Sequence, residues 1–102
     1  MIEDIEAMFL PRFAEAARTR LANATAATEK RDPAALAAVV RDMHSIAGEA
    51  GLLGLREVVP LALDGEARAK RLSTERSDQA AAAMTETIRA LEAIVEGLAK
   101  KA

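Results

Sequence analysis

The sequence predicts an all-α protein, an antiparallel up-and-down four-helix bundle with a short extra helix at its N-terminus. Three observations carry that expectation. Hydrophobic residues make up 51% of the 102 residues while aromatics are only 2%, so the core must be built from alanine and aliphatic side chains, which suit closely packed helices. Alanine, leucine, glutamate and arginine, all strong helix formers, dominate the chain. Apolar residues also recur at steps of three and four, in segments separated by short polar stretches. This length allows one modest core, so residues 1–102 are read as a single domain.

Ile2, Ile5, Met8 and Phe9 follow helical spacing and predict a short first helix that ends or bends before Pro11. Pro11 suits the first turn of the next helix, whose apolar face is Phe13, Ala17, Leu21 and Ala24. The pattern weakens beyond Thr28. Asp32 and Pro33 read as an N-cap and a first-turn proline, starting a central helix through about Leu53, with Gly54 to close it. Leu55, Val58, Val59, Ala62, Leu63 and Ala67 predict another helix, with Pro60 near the end of its first turn and Gly65 inside it. The cations Arg68, Lys70 and Arg71 near its C-terminal end complement the helix dipole. Residues 73–78 hold several N-cap candidates. Ala81, Met84, Ile88, Leu91, Val95 and Leu98 then form the most regular apolar stripe of the chain.

The only histidine, His44, lies in the central helix. Leu36, Val39, Val40, Met43, Ile46, Ala50 and Leu53 mark its buried face. One step past Met43, His44 is turned about 100° from the centre of that stripe, at the boundary with water. Gly48 is one turn on along the same side, and Gly51 follows. Each glycine costs a helix roughly 1 kcal/mol relative to alanine, so two beside one exposed imidazole suggest a surface cleared for another molecule.

Several function classes are excluded or disfavoured. Net charge is −2 with both signs interspersed, without the clustered basic residues or stacking aromatics of a nucleic-acid surface. No apolar run is long enough for a membrane span, and the acidic start differs from a secretory signal, so a cytoplasmic location is expected. With no cysteine and one histidine, neither a metal site nor a self-contained catalytic set is expected. No phosphate-binding glycine loop is present either.

The run His44-Ser45-Ile46-Ala47-Gly48, with Gly51 and Leu53-Gly54 downstream, resembles the signature of histidine phosphotransfer (HPt) domains, His-x-x-Lys-Gly followed by small residues. The resemblance implies a bundle that accepts a phosphoryl group on His44 and relays it between response-regulator receiver domains in bacterial phosphorelays, a hybrid histidine kinase being a further possible source. It implies a carrier rather than an enzyme, with no cofactor of its own. The aspartate and Mg²⁺ belong to the receiver. Arg41, Ala47, Gly48, Gly51 and Arg56 are the partner-binding candidates around His44, and a monomer is expected. Ser45 lies on another face and is not expected to be phosphorylated.

Ala47 departs from the motif, because the usual lysine would lean back over the histidine and neutralise a phosphoryl group. Arg41 leans the other way. A replacement cation is expected from the next helix, with Arg56, Arg68 or Lys70 as candidates. The alternative reading is a degenerate bundle that docks a receiver or kinase and regulates it without being phosphorylated. A third is a structural helical bundle in which the histidine is incidental.

Overall fold

A computed structural model describes the backbone of residues 2–101 and the side chains of residues 7–100. The elements are α1 (Ile2–Lys30), α2 (Pro33–Leu52), α3 (Val58–Glu75) and α4 (Asp78–Lys101). Each helix packs on its two neighbours in a closed ring, α1 on α2, α2 on α3, α3 on α4 and α4 on α1. The cross-helix bonds fix the direction: Arg18 meets Glu96 while Arg31 meets Asp78, so α1 and α4 run antiparallel. Short connections leave the other pairs no choice but to do the same.

The core is thin and aliphatic. Ala17, Ala24, Ala50, Ala62 and Ala69 are fully buried beside Leu21, Leu36, Met43, Leu72, Met84 and Leu91. Alanine at so many contacts lets the backbones approach closely, and the molecule is correspondingly narrow at 46 × 20 × 19 Å. The long axis matches the ~1.5 Å per residue rise of the longest helix.

Local signals set the helix ends. Asp32 accepts a hydrogen bond from the Ala35 amide at 3.0 Å and Pro33 opens α2, as the capping pattern predicts. Ser77 does the same for the Ala80 amide at 3.1 Å. Gly54, at φ +72°, turns the chain out of α2, where a residue with a Cβ would be strained.

Two expectations are corrected. The separate N-terminal helix does not exist, because α1 continues through Pro11. Pro11 and Ala7 are both exposed, so water can bond the Ala7 carbonyl that proline leaves without a donor, and the well-packed turns beyond hold the helix in line. Met8 and Phe9 are exposed, whereas the side chains of Ile2 and Ile5 lie outside the described residues. In α3 the buried face is Val58, Ala62, Gly65, Ala69 and Leu72, so Leu63 and Ala67 point outward and Gly65 inward. The helix begins at Val58, which places Pro60 in the first turn and removes any need for a kink.

Candidate functional site

The site is built where α2 and α3 lie side by side. Leu36, Val39, Met43, Ile46, Ala47 and Ala50 seat α2 in the core and fix its rotation. That rotation turns His44 outward, its side chain 75% exposed. Its position deep inside a capped helix denies the backbone freedom to move, so the imidazole is presented on a stiff support.

Glu66 comes from α3 to meet it. Its Oε1 lies 3.4 Å from His44 Nδ1, and its side chain is only 21% exposed. The partly buried carboxylate favours the tautomer that carries its proton on Nδ1, leaving the Nε2 lone pair toward solvent. At this distance the carboxylate acts on the ring through its charge rather than through a formed hydrogen bond.

Gly48 and Gly51 follow His44 along the exposed strip. A Cβ added at either would meet nothing within 4 Å, so no contact inside the molecule requires glycine there. Both keep a helix-destabilising residue worth roughly 1 kcal/mol each against alanine. The strip ends at Leu52, 90% exposed, which also edges an apolar groove with Phe9, Phe13 and Leu53 beside the Arg20–Glu49 ion pair. Leu63, 46% exposed, lies one turn before Glu66 on α3.

The other candidates divide. Arg41 is exposed one turn before His44 and shares a surface groove with Val40, Lys70 and Ser73. Ala47 is a correction: it is only 7% exposed and belongs to the core rather than the rim, since its position lies about 60° closer to the buried face than His44 does. Arg56 sits in the α2–α3 connection, beyond Leu52, which is already about 12 Å along the axis from His44. The structure does not bring it to the imidazole. Arg68 is committed elsewhere, bonding Asp64 at 3.1 Å, the Ala83 carbonyl at 2.7 Å and Thr87 Oγ1 at 3.0 Å. Among the described residues, no group of three or more His, Cys, Asp or Glu side chains gathers as a metal site, and no helix is long and apolar enough to cross a membrane.

Glu66 is the residue that sequence reasoning passed over. Its only sequence signal was an acid just ahead of the basic run in α3. Linking it to His44 required the register of α3 against α2.

A narrow helical ring thus holds one exposed imidazole beside a carboxylate, on a strip that also carries two glycines. A family model described as the Hpt domain matches residues 8–100, and the chain belongs to that family. Hpt domains are phosphocarrier modules that interact with response-regulator receivers in phosphorelays. Comparison with curated proteins and with solved structures gave no match.

Proposed function

We propose that the chain relays a phosphoryl group between receiver domains through Nε2 of His44. The observation that carries this reading is the pairing of an exposed imidazole with Glu66 beside two glycines that the fold itself does not need. Nε2 attacks the phosphorus of a receiver's phosphoaspartate, the N–P bond forms, and the acyl phosphate P–O bond breaks to release the aspartate carboxylate. The ring gains positive character as it bonds phosphorus, and Glu66 beside Nδ1–H offsets it. Donation to a second receiver is the same step reversed. Mg²⁺ stays with the receiver, and the catalytic work is alignment of attacking and leaving atoms.

The docking face in this reading is the strip His44, Gly48, Gly51 and Leu52, with Leu63 and Arg41 at its edges. Lys70 supplies the cation that Ala47 does not. Helical side chains lean toward their own N-terminus, and α3 runs opposite to α2, so Lys70, one turn past Glu66, leans toward the site while Arg41 leans away. The reading also places the protein in the cytoplasm, where receivers are found, as a monomer.

Phosphorylated receiver domains mixed with purified protein test this, with intact mass as the readout and His44→Gln alongside. Acid-labile gain of one phosphoryl group by the wild type alone is expected. Binding without any gain would replace the relay by docking without phosphorylation.

A further inference from the structure

Gly65 is the one helical glycine with a packing reason to be glycine. A Cβ there would stand 2.8 Å from Met43 Sδ, 3.3 Å from Met43 Cγ and 3.4 Å from Thr87 Cγ2, whereas Gly48, Gly51 and Gly97 have open space. Its φ is not positive, so backbone freedom is not what the position needs. Met43 is completely buried and has little room to withdraw.

The contacting residues immediately precede the two residues of the site. Met43 comes before His44 on α2, and Gly65 before Glu66 on α3. The inner contact and the outer one are therefore made in the same layer by the same two turns. We propose that Gly65 is a positioning residue, whose missing side chain lets α3 settle onto Met43 closely enough for Glu66 to reach His44 Nδ1. This rests on the relay reading only for its consequence in phosphoryl transfer, since the geometry concerns the free protein.

Distances decide how sensitive the device is. Restoring ordinary contact for a Cβ at 65 means moving from 2.8 to about 3.4 Å, a shift of roughly 0.6 Å. The same shift added to the 3.4 Å between Glu66 and His44 gives about 4 Å, which weakens the carboxylate's electrostatic hold on the ring. A methyl group inside the bundle would thus loosen the carboxylate's hold on the imidazole at its surface.

The experiment compares wild type, Gly65→Ala and Gly65→Ala/Met43→Ala, the second change restoring room. Folding is checked by circular dichroism, the His44 tautomer is read by ¹⁵N NMR of the unphosphorylated protein, and transfer from a phosphorylated receiver is timed. The expected result is a folded Gly65→Ala whose preference for Nδ1–H is weakened and which transfers a few-fold more slowly, with both recovered in the double variant despite its lower melting temperature. An unchanged tautomer signature in Gly65→Ala overturns the proposal, as does a loss that Met43→Ala fails to repair. Should Gly65→Ala not fold, a wild-type signature in the double variant supports the proposal and its absence overturns it. If no receiver phosphorylates the wild type, the relay reading fails, while the tautomer comparison still decides the role of Gly65.

Discussion

The outer strip of α2 and the inner seam between α2 and α3 both use glycine, for opposite physical reasons. On the strip, Gly48 and Gly51 face open space, and their small size can matter only to something arriving from outside. In the seam, Gly65 faces Met43 and Thr87 at distances that leave no room for a methyl group. The first kind sacrifices helix stability for a surface, the second for a close approach. His44 lies on the strip, and Glu66 reaches it across the seam.

The largest effect expected on the strip is loss of the nucleophile. His44→Gln should abolish phosphoryl gain by intact mass while leaving the melting temperature within about 2–3 °C, because the side chain is exposed and its single contact, with Glu66, is weak at such a surface. In the seam, the corresponding experiment is Met43→Ala. Emptying a fully buried site should destabilise by about 2–5 kcal/mol in denaturant titrations, with receiver binding retained in whatever fraction stays folded.

The comparison itself is tested by placing one methyl group in each region. Gly48→Ala should stabilise the protein by up to about 1 kcal/mol, which for a domain of this size raises the melting temperature by several degrees. Gly65→Ala gains the same helix propensity but meets an overpacking penalty of about 1–3 kcal/mol, so its melting temperature should not rise. Equal stabilisation by both would erase the distinction. Gly48→Leu sharpens it from the other side: the fold should tolerate the side chain, while transfer from a receiver slows by about tenfold or more as the approach is blocked.

The smallest effect concerns charge. Lys70→Ala should leave folding unchanged and slow transfer by a few-fold, more at low salt than at high, because an exposed cation acts through screened electrostatics. An unchanged rate at low salt would remove Lys70 from the site.

Much of this molecule was legible along the chain. The stripe from Ala81 to Val95 is buried as its spacing predicts, and Asp32 caps α2 as its dipeptide with Pro33 predicts. The exposure of His44 followed from one angular step past Met43. Periodicity reads such features well because they depend on neighbours three or four residues away. A local break signal at Pro11 was outweighed by the packing of α1 beyond it, and Ala47, which the motif places beside His44, is turned inward by helix rotation.

By itself, then, the sequence determined the all-helical class, the helix caps, the buried stripes and the solitary imidazole facing water, because each is a property of one helix and its own repeat. Only the tertiary structure decided that Glu66 meets His44, that Arg68 is spent on α4, and that Gly65 lies against Met43. Those are relations between helices, set by how far one slides along another and how closely their backbones approach, and no local repeat encodes that register.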